Sequence, residues 1–103
     1  MKWMLFAAAC LIATGCTWVK LEQSGSRVRV AASTEALSGC AYKGEITTSV
    51  TNRLAGIERN SIKVADELET LARNEAAGLG ANVIKPLSEP LAGEQRFAAY
   101  ACP

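Results

Sequence analysis

The most regular feature of the chain is a spacing of three and four residues between apolar side chains in its second half. The apolar positions are Val64, Ala65, Leu68, Leu71, Ala72, Ala76 and Leu79, and most polar residues fall between them. This spacing places the apolar residues on one face of a helix. The sequence therefore predicts an amphipathic helix from about Ser61 to Gly78, with Leu68 and Leu71 buried against a sheet.

Both ends of this helix carry residues that favour a helix boundary. Asn60 or Ser61 can accept hydrogen bonds from the free N–H groups of the first turn. Gly78 or Gly80 can adopt the left-handed conformation that commonly ends a helix. The stretch Gly78-Leu79-Gly80 is thus a helix stop and not a phosphate loop, which would precede a helix and carry a lysine.

Four shorter segments have the character of β-strands. The segments are Arg27–Val30, Tyr42–Val50, Asn82–Lys85 and Gln95–Cys102. The first two alternate polar and apolar residues, and in the second this places Tyr42, Ile46, Thr48 and Val50 together on one face. The third is short and β-branched, and the fourth contains Phe97 and Tyr100 on opposite faces. A polar stretch, 53–59, precedes the helix, and Pro86 to Gly93 favours a turn. The order strand, strand, helix, strand, strand predicts a small α+β sandwich with one helix packed on a mostly antiparallel sheet.

The N-terminal residues have a different pattern. Lys2 is followed by an uncharged, mostly apolar run from Trp3 to Ala13, and the chain then reads Ala13-Thr14-Gly15-Cys16. The run is too short to span a bilayer but suits a secretory signal. Small residues before a cysteine look like the bacterial lipobox, in which the cysteine sulfur is acylated and the chain is cut before it. The alternative is a buried N-terminal core helix with two incidental cysteines.

These features predict three regions in the chain. Residues 1–15 are a lipoprotein signal peptide, 16–26 are the lipidated Cys16 with a short tether, and 27–103 are a single α+β envelope domain. Thr17 is not the aspartate typical of inner-membrane retention, so the sorting pattern implies the periplasmic face of the outer membrane. Once Lys2 is removed, ten basic residues face ten acidic ones, and such a neutral chain has no electrostatic case for binding nucleic acid.

The cysteines suggest a covalent link in this small domain. Cys10 leaves with the signal and Cys16 takes the lipid, so Cys40 and Cys102 remain. Two thiols in an exported domain most simply form a disulfide. A metal site, a redox pair and two buried thiols are the alternatives, but the chain has no histidine and these two cysteines are not in a C-x-x-C pair.

Other candidates for chemistry are weak. Glu67 and Glu69 are two residues apart on a helix, so their side chains diverge and are interpreted as part of a solvated face. Asn82 is expected to adopt a special backbone conformation or to hydrogen-bond the neighbouring turn, in preference to contacting a ligand. Either Phe97 or Tyr100 should pack under the helix, and core packing is the favoured role for both. An aromatic residue left exposed there would be the best candidate contact for a partner. The sequence predicts no catalytic residue, no metal site and no cofactor.

The second half of the chain resembles a known family. The run LARNEAAGLGANVI at 71–84, followed by GEQRFAAYAC at 93–102, is similar to the small proteobacterial lipoproteins of domain-of-unknown-function family 4156. The resemblance covers essentially the whole domain, including Cys40. The implied architecture is similar to that of the Rcs envelope-stress sensor lipoprotein domain, a disulfide-bonded unit of sheet and helix. This chain differs in having two domain cysteines and no long proline-rich tether.

Two functions are compatible with these observations. The favoured one is a non-enzymatic envelope lipoprotein that is held to the membrane by its lipid and binds another envelope protein, in stress signalling or assembly. The alternative is an enzyme or binding protein for a small molecule or peptidoglycan fragment. A pocket lined by convergent polar groups would favour the alternative, and a flat apolar patch would favour the first.

Overall fold

The computed structural model describes residues 20–54 and 56–103. The predicted signal peptide and the lipidation site Cys16 lie outside these residues. Within the described ranges no helix is long and apolar enough to cross a membrane.

The helix forms where its spacing predicts it. Helix α1 spans Ser61–Gly78, and the Asn60 side chain accepts hydrogen bonds from the N–H groups of Ile62 and Lys63. Its end is fixed by Gly80, whose φ is 77°, a left-handed conformation that costs glycine little. Of the two residues predicted at each end, Asn60 thus caps the start of the helix and Gly80 marks its end.

The strands differ from the prediction in their lengths and number. They are β1 Arg29–Val30, β2 Ala41–Ser49, β3 Arg53–Leu54, β4 Ile57–Glu58, β5 Val83–Pro86 and β6 Glu94–Ala101. The predicted first strand is too long, because Gly25–Arg27 forms a turn of 3-10 helix. The polar stretch before the helix contains a short hairpin, β3–β4, that was not predicted.

The four predicted strands form one sheet in the order β1-β5-β6-β2. β6 is antiparallel to both β2 and β5, whereas β1 and β5 are parallel. The sheet is therefore mostly antiparallel, as predicted. Its two edge strands, β1 and β2, follow each other in the chain, so residues 31–40 must cross a whole face of the sheet.

The helix covers one face of the sheet and encloses the core. Phe97, Ile46, Leu68 and Ile84 are the largest fully buried side chains. Small residues on the helix and the sheet, Ala72, Ala76 and Ala99, pack among them. Leu68 is fully buried as predicted, whereas Leu71 is only partly buried.

The connection 31–40 crosses the opposite face. Lys85 alternates with the core residue Ile84 and so points away from the helix, and its Nζ donates to the carbonyl oxygen of Glu35 at 2.9 Å. The Arg29 guanidinium donates two hydrogen bonds to the Glu35 carboxylate, at 3.0 and 3.1 Å. These hydrogen bonds also hold the pKa of the Glu35 carboxyl below its usual value. The crossing explains why Val83 and Ala98 are buried although they face away from the helix.

Candidate interaction site

The disulfide lies at the end of the sheet where β2 begins and β6 finishes. Cys40 and Cys102 flank the paired residues Ala41 and Ala101, and their sulfurs are bonded with Cα atoms 4.3 Å apart. The disulfide predicted from the cysteine positions is thus present in the structure. It joins the two long strands at one end of the sheet.

Asn82 supports the same end of the sheet. Its side-chain oxygen accepts from the Cys102 N–H at 2.7 Å, and its side-chain nitrogen donates to the Cys102 carbonyl oxygen at 2.8 Å. Its backbone N–H also donates to the Tyr100 carbonyl oxygen. The side chain therefore acts as one more rung of the sheet. Its hydrogen bonds go to the end of β6 and not, as the sequence had suggested, to the neighbouring turn.

A β-bulge in β2 decides where the aromatic residues point. Ile46 pairs with Phe97 and Gly44 with Ala99, but Tyr42 pairs with Tyr100, so Lys43 is an extra residue. Because side chains alternate along a strand, one extra residue reverses the facing of everything before it. The sequence parity, which put Tyr42 on the same face as Ile46, is therefore wrong.

The reversal brings two tyrosines together on the face away from the helix. The ring centroids of Tyr42 and Tyr100 are 5.6 Å apart and meet edge to face, a preferred aromatic geometry. Tyr42 is 61% exposed, whereas Phe97 is only 1% exposed beneath the helix. The prediction that Phe97 and Tyr100 lie on opposite faces, with one of them under the helix, is confirmed. The position of Tyr42 beside Tyr100 was not predicted. We call Tyr42 and Tyr100 the tyrosine pair.

A second feature holds the N-terminal segment against the helix. The Asn74 side chain donates to the Lys20 carbonyl oxygen at 2.9 Å and accepts from the Glu22 N–H at 2.8 Å. The Arg73 guanidinium donates to the carbonyl oxygens of Ser26 and Val28. We call Arg73 and Asn74 the clasp. Both belong to the LARNEAAGLGANVI run that carries the family resemblance, but no local pattern in the sequence indicates their partners.

Glycine is required where this segment meets the clasp. Gly25 is buried against Asn74, and a Cβ added to Gly25 would lie 3.1 Å from the Asn74 Cα and closer still to the side-chain oxygen. Only a residue without a side chain fits so near the helix. The described part of the predicted tether, from Lys20 onward, is thus bound to the domain.

One of the two glutamates interpreted as solvated is instead in an ion pair. The Glu67 carboxylate accepts from the Arg59 guanidinium at 2.7 Å, and both side chains are largely buried. The same guanidinium donates to the Thr51 carbonyl oxygen. The hydrogen bond to Glu67 raises the pKa of Arg59 above its ordinary value, and the pair fastens the end of the β3–β4 hairpin to the helix.

Three aliphatic side chains are exposed near the other end of β2 and β6, one in β4, one in the first turn of the helix and one in the β5–β6 connection. Ile57, Ile62 and Leu91 are each more than 70% exposed. Leu91 lines a shallow cleft that also includes Glu58 and Ser61, the chain neighbours of Ile57 and Ile62. These side chains add apolar surface but have no polar atom that would orient a partner.

The clefts of the described residues do not gather reactive groups. One cleft of about 460 Å³ lies between residues 31–33 and the β5–β6 connection. Two of its polar side chains are used internally, because Gln95 donates to the Ser88 carbonyl oxygen and the Ser88 hydroxyl accepts from the Arg96 N–H. Across the described ranges there is no group of three or more potential metal ligands and no buried side-chain polar atom without a partner.

Comparison with known proteins places this domain in one family. A family model described as "Domain of unknown function (DUF4156)" matches residues 19–102. No curated protein and no solved structure matches the chain. The match covers every described strand and the helix, as well as both cysteines of the disulfide.

Proposed function

We propose that this chain, which belongs to the DUF4156 family, is a lipid-anchored envelope protein that binds another envelope protein through the tyrosine pair. The domain acts without catalysing a reaction. Its anchor is the acylated Cys16, and its location is the periplasmic face of the outer membrane. The edge-to-face tyrosine pair, in which Tyr42 is exposed and Tyr100 is half-buried, is the observation that carries the proposal of a protein contact.

Tyrosine is well suited to this role. A tyrosine ring offers a large apolar area and a hydroxyl that can orient a partner, with few rotatable bonds to immobilise on binding. Such residues are enriched at the centres of protein interfaces. The backbone on either side of the pair is held by the disulfide and by Asn82. Binding of a partner would therefore cost little backbone conformational entropy.

An ion pair borders the tyrosine pair on the same face. Arg96 and Glu45 form an exposed ion pair at 3.0 Å further along β6 and β2. An apolar centre with a polar, solvent-accessible surround is the usual anatomy of a protein interface. This arrangement favours a protein partner over a small ligand, which needs a concave site.

In-cell photocrosslinking tests the contact. A photoreactive phenylalanine analogue at position 42 should give one discrete protein adduct, and the adduct should be lost when Tyr100→Ala is added. The matched control is the same analogue at Asp66, an exposed position on the opposite layer, which should give no such adduct. The same adduct from both positions, or none from position 42, would contradict the proposal.

The anchor is tested by labelling with palmitate. Cys16→Ser should abolish incorporation and leave the protein out of the detergent phase, because it removes the residue that carries the acyl chains. Stable anchoring needs more than one such chain. Cys10→Ser, a cysteine in the apolar run of the signal, is the control and should retain labelling. Label that persists in Cys16→Ser would rule out this anchor, and recovery of the wild type in the inner membrane would refute the proposed location.

A further inference from the structure

The clasp lies on the side of the helix that faces away from the sheet. Ala72 is fully buried against the sheet, and Asn74 follows it by two residues, which is a rotation of about 200° around an α-helix. Asn74 therefore points outward. Its two hydrogen bonds to Lys20 and Glu22 place the N-terminal segment across the outer surface of the helix.

The molecule is consequently layered in a fixed order. The N-terminal segment lies outermost on one side, followed by the helix, the sheet and finally the crossing connection 31–40 on the other side. The tyrosine pair belongs to the sheet face that the connection crosses. The clasp and the tyrosine pair thus lie on opposite sides of the domain.

The chain between the anchor and the clasp is short. Only Thr17, Trp18 and Val19 separate Cys16 from Lys20, and the four Cα–Cα steps from Cys16 to Lys20 span at most about 14 Å. If residues up to Arg27 were free instead, the reach would be about three times as long. The clasp therefore determines how far the domain can rotate relative to its anchor.

We propose that the helix side of the domain, on which the N-terminal segment is clasped, is its membrane-facing surface, and that its occupant is the bilayer that holds the Cys16 lipid. Arg73 and Asn74 are positioning residues that hold this orientation and present the tyrosine pair to the periplasm. This inference rests on the lipid attachment at Cys16 in the proposed function. It adds the orientation that makes the tyrosine face accessible.

Charge alone does not give this orientation. On this side the helix carries Lys63 and Asp66, and the clasped segment carries Lys20, Glu22 and Arg27. Charges of both signs are therefore mixed, whereas attraction to anionic lipid requires a basic cluster. The orientation therefore depends on the short, clasped connection. Releasing the clasp should remove it without changing the charge of this surface.

Hydrogen exchange tests whether the clasp holds the segment. Asn74→Ala removes the acceptor of the Glu22 N–H and should speed exchange of that amide by roughly tenfold or more, given the usual strength of such hydrogen bonds. Thr70→Ala is the control, because the Thr70 hydroxyl donates only to Asp66 one turn earlier. It should leave Glu22 unchanged. Unaltered exchange in Asn74→Ala, with the β6 amides still protected, would overturn the clasp.

Paramagnetic broadening from headgroup-labelled lipids tests the orientation in the lipoprotein itself, reconstituted in nanodiscs. The helix amides of Asp66 and Thr70 should broaden more than the amides of residues 34–36 in the crossing connection. Asn74→Ala should lose this difference. Equal broadening of the two sets in the wild type, or greater broadening of residues 34–36, would overturn the proposal.

The mass of the reconstituted protein separates this test from the test of the anchor. If Cys16 carries no acyl chains, the proposed anchor fails. The chain beginning at Cys16 can then be coupled through that thiol to a maleimide lipid, since Cys40 and Cys102 are joined to each other. The attachment point is the same, so the broadening pattern still supports or overturns the orientation.

Discussion

Small side chains determine how the helix packs on the sheet. Ala72, Ala76 and Ala99 are fully buried between the two layers, and Leu68 fills the space further along the helix. Helical spacing correctly predicted the burial of Leu68, which lies near the centre of the apolar stripe. It was less accurate for Leu71, about 100° around the helix from Ala72, because periodicity locates the middle of a stripe better than its edges.

Leu68→Ala tests the packing of this residue. Removing a fully buried leucine side chain should lower the free energy of unfolding by about 2–5 kcal/mol, through lost burial and the remaining cavity. Denaturant unfolding gives the value directly. The matched control is Ile62→Ala on the same helix, where the side chain is 80% exposed and the change should stay within about 0.5 kcal/mol. Equal midpoints for Leu68→Ala and the wild type would mean that the helix presents a different face.

Polar contacts between distant residues could not be predicted from the sequence. Periodicity shows that Asn74 faces away from the core, but its partner Lys20 is 54 residues earlier in the chain. The same limit applies to Glu67, whose interpretation as solvated was wrong because Arg59 comes from the segment before the helix. An outward-facing polar residue gives the same sequence pattern whether water or another segment of the chain covers it.

At the scale of single elements, one extra residue in β2 changes the identity of the candidate site. Strand alternation predicted the buried positions Ile46 and Thr48 correctly. It failed at Tyr42, because the bulge at Lys43 reverses the facing of the first part of the strand. The sequence signal that could have revealed the bulge is Gly44, since a glycine inside a strand often marks one.

Gly44→Ala tests the bulge. Gly44 has a φ of 137°, a region that residues with a side chain rarely adopt, so the substitution should cost about 1–3 kcal/mol. The cost is not a clash, because an added Cβ would meet nothing within 4 Å. Gly78→Ala is the control, since that added Cβ is also unopposed but the helical backbone suits alanine, and it should be stabilising by up to about 1 kcal/mol. Equal unfolding midpoints for the two variants would contradict the assigned bulge.

At the scale of the whole molecule, the fold is a set of layers joined by a few long-range links. The sequence predicted the helix, the four sheet strands, the disulfide and the family, because each depends on local spacing or on a small number of cysteines. It did not predict the parallel pairing of β1 with β5 or the crossing of residues 31–40. Those follow from strand order, which local pattern does not encode.

The double variant Cys40→Ser, Cys102→Ser tests the contribution of the disulfide to stability. The two cysteines are 62 residues apart, and closing a loop of this length lowers the entropy of the unfolded chain by the equivalent of about 4 kcal/mol. Thermal unfolding should therefore show a large loss of stability. Reductant should lower the midpoint of the wild type by a similar amount and leave the double variant unchanged. A double variant as stable as the oxidised wild type would show that the link is dispensable.

We propose that the protein is an exported, lipid-anchored domain, and the structure shows that this domain is closed by one disulfide. The mass of the protein isolated from cells tests both features together. After alkylation under denaturing conditions, we predict a chain that begins at an acylated Cys16 and takes up no alkyl group without reductant. With reductant it should take up two, at Cys40 and Cys102. An unacylated chain that still begins at Met1 and is alkylated at all four cysteines without reductant would contradict both the lipid anchor and the disulfide.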